Sequence, residues 1–213
     1  MWPKLIDTGN FFLPTYGVLV AIAFLVAIWI TGRLARRAGL NVDRVTNLAV
    51  YLAIAGMLGA KLFMFLFDWR AYLANPSEIF SMATLQAAGV YQGGLLLAVL
   101  TAAFYMRRYQ LPGLATADVF APGIAIGHSI GRLGCFSAGC CWGKECSLPW
   151  AVKFTSLDAH QLTGVPLETS LHPTQLYEAG AELLTGGART ATIPPWPRTR
   201  RPIDGEPPGL RSS

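Results

Sequence analysis

Long uncharged stretches dominate the pattern of polar and apolar positions along this chain. Neither residues 8–32 nor residues 79–106 contain a lysine, arginine, aspartate or glutamate. A helix needs about 20 mainly apolar residues to cross the hydrocarbon core of a bilayer. The pattern therefore predicts membrane-spanning helices. The segments that qualify are residues 14–31, 45–67, 87–105 and 116–133.

A fifth helical segment begins after residue 173, but its pattern is soon interrupted. Residues 173–184 include Glu178 and Glu182, and residues 185–213 are dominated by proline, arginine and glycine. Such a composition buries too little apolar surface to fold, so we predict a disordered tail from residue 185. We expect an all-α polytopic membrane protein, with residues 1–184 as a transmembrane domain of four clear spans and an aborted fifth. The change of composition within a helix is typical of a truncated or frame-shifted C-terminus.

Composition and charge agree with this interpretation. Hydrophobic residues make up 53% of the chain and charged residues 14%, whereas soluble domains carry about a quarter charged residues. The link at residues 33–44 holds four arginines against one acid, and the third link begins Arg107-Arg108. Cationic links lie on the cytoplasmic side, so we expect the N-terminus outside and Cys135 at the outer face. The net charge of +5 is then charge at the membrane edge, and no nucleic-acid partner is expected.

The densest group of candidate site residues closes the fourth span, at residues 131–143. Its glycines allow a backbone to approach a ligand closely, and Arg132 offers a planar fork of donors that can grip a phosphate. Lys61, near the outer end of the second span, is expected to complete an anion pocket, because intramembrane charge is usually functional. The alternative for both cations is a side chain that snorkels to the interface.

Further polar residues are expected in the same outer layer. Gln92, Gly93 and Gly94 open the third span, where simple close packing of helices is the alternative explanation. Tyr16 lies near the outer end of the first span, where an interfacial tyrosine is equally common. His172 begins a compact polar motif at residues 172–178, although a single histidine is more often structural.

The cysteines permit a different function. Cys135, Cys140, Cys141 and Cys146 face an oxidising compartment in the expected topology, so disulfides can form. A membrane thiol-redox protein is therefore an alternative. Their spacing lacks the paired two-residue gaps of a zinc site, so we predict neither a metal nor a cofactor.

Taken together, these segments resemble the prolipoprotein diacylglyceryl transferase family. The matching pieces lie in order along residues 14–184: Tyr16, the Gln92-Gly93-Gly94 turn, the 131–143 signature and residues 172–178. The resemblance implies a multi-pass enzyme of the bacterial plasma (inner) membrane with its site at the outer leaflet. Such an enzyme moves diacylglycerol from phosphatidylglycerol to the lipobox cysteine of a prolipoprotein and releases glycerol phosphate, the first step of lipoprotein maturation.

The resemblance also implies partners and roles. The expected partners are phosphatidylglycerol, the prolipoprotein signal peptide and membrane lipids, and Arg132 is expected to bind the phosphatidylglycerol. Residues and resemblance together predict Arg132, Gln92 and Tyr16 as catalytic and Arg132, Lys61, Gly93, Gly94, Gly134, Cys135, Gly139, Gly143 and His172 as substrate-binding.

This chain departs from the family pattern at three points. Gln92 stands where better-known members have histidine, and a glutamine cannot act as a general base at neutral pH. Cys135 and Cys140 stand where the family has asparagine and an acidic residue. The last two or three spans of the family are missing, together with an arginine. An inactive truncated remnant is therefore a further alternative.

Overall fold

The computed structural model describes residues 4–7, 12–81, 84 and 89–193, and these are mostly helical. The helices are α1 (Thr15–Arg37), α2 (Val42–Phe67), α3 (Trp69–Ala74), α4 (Tyr91–Arg108), α5 (Gly113–Ala138), α6 (Leu157–Thr163) and α7 (Thr174–Thr192), with a 3₁₀ helix at Pro76–Phe80. Two short antiparallel ladders accompany them, β1 (Lys4–Asp7) with β2 (Phe12–Pro14) and β3 (Val152–Lys153) with β4 (Ser170–Leu171). The helical prediction is confirmed, whereas the ladders were not foreseen.

Two of the long helices, α1 and α2, suit a membrane. α1 has 23 residues and α2 has 26, and both are long and apolar enough to cross a bilayer by length and composition. At about 1.5 Å per residue they measure about 35 and 39 Å. Large apolar side chains remain exposed on them, such as Leu25 at 68% and Met57 at 68%, which suits lipid contact better than water. The arrangement of four spans stays a prediction.

The long helices associate in pairs. α1 packs along α5, α2 along α4, and α7 also packs along α5. Close approach explains the α2–α4 pair, because a Cβ added to Gly59 would lie only 2.4 Å from the carbonyl oxygen of Gly93. Small residues bring two backbones together in this way where no hydrophobic effect drives association. Gly93 and Gly94 are both buried in the pair.

One core joins the two pairs at the end where α1 connects to α2. Asn41 caps α2, because its side chain accepts a hydrogen bond from the backbone N–H of Arg44 at 3.0 Å. Arg36 and Arg37 lie in the last turn of α1, where the helix dipole stabilises positive charges. The buried residues of this core come from α1, α2, α4, α5 and the links before α2 and before α5: Ile30, Leu34, Ala35, Ala38, Val45, Leu48, Tyr105, Leu111 and Val119.

The segment between α5 and α7 has a small core of its own. Phe154, Ala159, Val165 and Leu171 are buried together, with Trp142 and Val152 packed against them. The β3–β4 ladder pairs Val152 with Leu171, which holds the two ends of the segment side by side. This unit lies directly after the helix that carries Arg132.

The predicted end of the fifth helix needs correction. α7 continues to Thr192, so the part of the predicted tail at residues 185–192 is helical. Its carboxylates do not stop the helix, because Glu178 and Glu182 pair with Arg132 and His128 on α5. Residues 194–213 of the predicted tail lie outside the described residues.

Candidate functional site

A cavity of about 350 Å³ lies between α1 and α5. Its walls are mainly apolar, and its polar groups gather near one end of the two helices. The lining residues are Tyr16, Val20, Ala23, Phe24, Ala27, Ile124, Gly127, His128, Gly131, Arg132 and Cys135. A volume of this size and an apolar wall with a few polar groups are typical of small-molecule sites.

Arg132 is the cation of this cavity. Its side chain is 14% exposed, and Nη2 lies 2.8 Å from Oε2 of Glu178 on α7. The buried Nε atom of Arg132 has no hydrogen-bond partner within the described part of the chain. Because guanidinium carries five donors, the ion pair with Glu178 leaves donors available for an anion in the cavity.

A second pair of side chains, His128 with Glu182, lies one helical turn from the Arg132–Glu178 pair. His128 Nδ1 lies 2.6 Å from Oε1 of Glu182. His128 and Arg132 are four residues apart on α5, and Glu182 and Glu178 are four residues apart on the antiparallel α7, so both pairs share one seam. Ser129 adds a hydrogen bond to this seam, donating to the carbonyl oxygen of Ala179 at 2.7 Å.

Three cysteines converge beside Arg132. The Sγ atoms of Cys135, Cys140 and Cys141 all lie within 4.8 Å of one another. Arg132 lies close enough to the thiols of Cys135 and Cys141 to interact with them electrostatically. The hydrogen bond that the Cys140 thiol makes with Cys135 raises the pKa of Cys140, and burial raises it further.

The turn after α5 brings the cysteines together. Gly139 ends the helix in the left-handed conformation, with φ of 76°, a conformation that glycine adopts without steric cost. Cys141 also has a positive φ, of 60°, which is unusual for a residue with a Cβ. The side chains of Gln175 and Thr174 on α7 donate to the carbonyl oxygens of Cys140 at 2.6 Å and Cys141 at 2.8 Å.

His172 lies in a hydrogen-bonded group of side chains at the start of α7. Its Nδ1 lies 3.2 Å from the hydroxyl of Tyr177, which accepts a hydrogen bond from Trp150 Nε1 at 2.7 Å. Its carbonyl oxygen accepts from the N–H of Gly143 at 3.0 Å. A Cβ on Gly143 would lie 2.8 Å from the Cβ of His172, so glycine is required for this close approach.

The structure brings some of the predicted residues together. Tyr16, Arg132 and Cys135 line the cavity, and Gly134 lets α1 approach, since a Cβ there would lie 3.2 Å from the Tyr16 ring. Gly139 positions the adjacent cysteines.

Other predicted residues lie on the α2–α4 pair, outside the cavity lining. Lys61 donates to the carbonyl oxygen of Thr84, Gln92 is exposed, and Gly93 and Gly94 pack against α2. Their roles in catalysis and substrate binding stay predictions.

Sequence reasoning assigned no role to the residues of α7 that complete the site. Glu178 and Glu182 counted there as evidence against a span. A signal was present, because a histidine and an arginine four residues apart on α5 match two glutamates four residues apart on α7. Side chains four residues apart lie on one face of a helix, so the two pairs can meet where two such faces pack together.

Fold and site together define a mostly helical protein with helices suited to a membrane and a cationic cavity at one end of two of them. The family model for prolipoprotein diacylglyceryl transferase matches residues 3–193. The chain belongs to this family.

Comparisons with individual proteins agree with this family assignment. The phosphatidylglycerol–prolipoprotein diacylglyceryl transferase of Synechococcus elongatus is 34% identical over 182 residues, which are 85% of this chain and 62% of that protein. The enzyme of the same name from Clostridium tetani is 31% identical, over 84% of this chain and 69% of the relative. That of Ruegeria pomeroyi is 37% identical, over 78% of this chain and 60% of the relative. The chain thus spans about three fifths to two thirds of the length of these relatives.

Proposed function

We propose that this protein transfers a diacylglyceryl group from phosphatidylglycerol to the lipobox cysteine of a prolipoprotein. The observation that carries the proposal is Arg132, a largely buried cation in an apolar cavity between α1 and α5. Phosphatidylglycerol offers the matching chemistry, a phosphate for the guanidinium and acyl chains for the apolar wall. The names of the relatives state transfer of a diacylglyceryl group between phosphatidylglycerol and a prolipoprotein.

Arg132 is proposed to bind the phosphate of the lipid. Glu178 fixes one side of the guanidinium, and the unpaired Nε faces no competing acceptor among the described residues. Paired N–H donors hold a phosphate with defined geometry, which a lysine ammonium cannot reproduce. The same donors then stabilise the charge that develops on the leaving phosphate.

Apart from phosphate binding by Arg132, the reaction needs few chemical groups from the protein. The thiolate sulfur of the prolipoprotein attacks the glycerol carbon that bears the phosphate ester. A sulfur–carbon bond forms, the carbon–oxygen bond breaks, and glycerol phosphate leaves with the electron pair. The nucleophile belongs to the substrate, so the enzyme contributes orientation of two membrane-anchored reactants and charge stabilisation.

We further propose that α1, α2, α4 and α5 span the bacterial inner membrane, with the N-terminus outside. The arginine-rich link between α1 and α2 and the Arg107-Arg108 pair at the end of α4 support this orientation. Arg132 then lies at the level of the outer headgroups, where both substrates are available.

Replacement of Arg132 tests the proposal in a bacterial strain depleted of its own transferase. Arg132→Ala is expected to reduce prolipoprotein lipidation by about 100-fold or more, the usual cost of removing one charge-stabilising group. Arg132→Lys should recover part of the rate, because charge remains while paired donors are lost. Lipidation is read from the mobility and mass of an epitope-tagged lipoprotein.

Arg37→Ala is the matched control, since Arg37 is an exposed arginine at the opposite end of α1. It should lipidate at the parental rate. Equal lipidation by Arg132→Ala and the parent would remove Arg132 from the mechanism, and no lipidation by the parent itself would reject the proposed function.

A further inference from the structure

We propose that Cys135, Cys140 and Cys141 bind one thiophilic divalent ion of the zinc class. We propose also that the open fourth position of this ion takes the thiol of the lipobox cysteine. The second part rests on the proposed function, whereas the first part does not.

The geometry of the three thiols fits one ion better than a disulfide. Their Sγ atoms lie within 4.8 Å of one another, and tetrahedral zinc with bonds of about 2.3 Å places its sulfur ligands about 3.8 Å apart. Movements of about 1 Å or less per side chain therefore complete the site. A disulfide would join two of these sulfurs and leave the third outside the bond, whereas one ion can bind all three.

Two features fix the backbone around the cysteines: the turn after α5, and hydrogen bonds from side chains of α7. The turn after α5 places Cys141 in the left-handed conformation, which is sterically unfavourable for a residue with a Cβ. Such strain persists where the surroundings over-determine it, typically at functional sites. Here Gln175 and Thr174 pin the carbonyl oxygens of Cys140 and Cys141 from α7, as outer groups hold metal ligands in place.

Charge also favours a divalent ion. Three thiolates and one divalent cation carry a net charge of −1, whereas a monovalent thiophilic ion would leave a charge of −2. Arg132 lies close enough to Cys135 and Cys141 to interact with their thiols electrostatically, and although it also pairs with Glu178, its charge offsets part of the remaining negative charge.

The position of the site gives the ion a role in the reaction. Among the described residues the convergent group has three donors, so a tetrahedral ion keeps one position for a substrate, as catalytic zinc does. Cys135 also lines the Arg132 cavity, which brings that position beside the expected phosphate. A thiol that binds the ion releases its proton to solvent, and the ion keeps its oxidation state. The thiolate is then formed without a protein base, and Gln92 need not act as one.

Cobalt binding tests the site independently of lipidation. The full chain, purified in detergent and stripped with a chelator, is titrated with Co²⁺, and thiolate-to-cobalt absorption is recorded before Zn²⁺ is added. One ion per chain is expected, displaced by Zn²⁺. Each of the variants Cys135→Ser, Cys140→Ser and Cys141→Ser should weaken binding about 100-fold or more, while helical circular dichroism stays unchanged.

Cys146→Ser is the matched control, because Cys146 lies outside the convergent group, and it should bind Co²⁺ like the parent. Equal binding by all four serine variants, or absence of thiolate absorption in the parent, overturns the site. So does a purified parent in which two of the three thiols resist alkylation until a reductant is added, because that pattern marks a disulfide.

Lipidation by the stripped protein separates the two parts of the proposal. A loss of about 100-fold, restored by Zn²⁺, supports a metal-bound thiol. Undiminished lipidation after metal removal overturns the thiol-binding role. Stoichiometric metal binding in a parent that lipidates nothing supports the ion site and overturns the proposed function, so the two failures are distinguishable.

Discussion

Arg132 illustrates how one buried charge organises its surroundings. A cation that is 14% exposed needs partners, and Glu178 supplies one at 2.8 Å. Its role as a candidate was predictable from the sequence, because an arginine among glycines at the end of an apolar helix is rarely accidental. Its partner was not foreseen, because the pairing joins residues 46 positions apart and depends on the packing of α7 on α5.

The ion pair between Arg132 and Glu178 makes a prediction for lipid binding. Glu178→Gln keeps the size of the side chain and removes its charge, so the guanidinium is less firmly oriented. We expect Glu178→Gln to lower the lipidation rate about tenfold. In a protein that already carries Arg132→Lys, adding Glu178→Gln should lower the rate by much less than tenfold. The lipidation rates of the parent, the two single variants and the double variant together form a double-mutant cycle. Additive losses would mean that Glu178 does not act through Arg132.

At the scale of elements, the apolar pattern predicts the long helices but places their ends imprecisely. α5 runs to Ala138, beyond the expected end at residue 133, so Cys135 lies in the helix and not in the polar segment after it. α7 runs to Thr192, beyond the expected end at residue 184. Hydropathy alone marks where a segment leaves lipid. A helix continues while its backbone bonds and side-chain pairs are satisfied, and caps such as Gly139 decide its end.

The α2–α4 contact makes a prediction about stability with a control on the same helix. Gly59→Ala places a Cβ 2.4 Å from the carbonyl oxygen of Gly93, so the two backbones must separate, at a cost of about 1–3 kcal/mol. Gly56→Ala meets nothing within 4 Å and should be neutral or slightly stabilising, because alanine favours helix. Thermal melting of the purified variants in detergent compares them. Equal melting temperatures would contradict the described helix pair.

At the scale of the whole molecule, the sequence predicts apolar helices and an outer polar cluster but not which helices pair. The pairing depends on close approaches such as Gly59 to Gly93 and on the charge seam between α5 and α7, and neither has a signal in hydropathy. The predicted union of Arg132 with Lys61 in one anion pocket is consequently untested, since Lys61 lies on the α2–α4 pair. The expectation that no metal binds rested on the spacing of the cysteines in the sequence. The proposed ion site differs from it, because three thiols can converge in space without the regular spacing of a zinc motif.

The most direct measurement of the central claim is diacylglyceryl transfer by the purified chain. The protein is supplied with phosphatidylglycerol labelled in its acyl chains and with a peptide that contains one lipobox cysteine, in detergent or vesicles. The account predicts labelled peptide with a thioether at that cysteine, an equal amount of glycerol phosphate, and neither product from Arg132→Ala. Peptide that stays unlabelled with the parent chain, or labelled equally by Arg132→Ala, would contradict it.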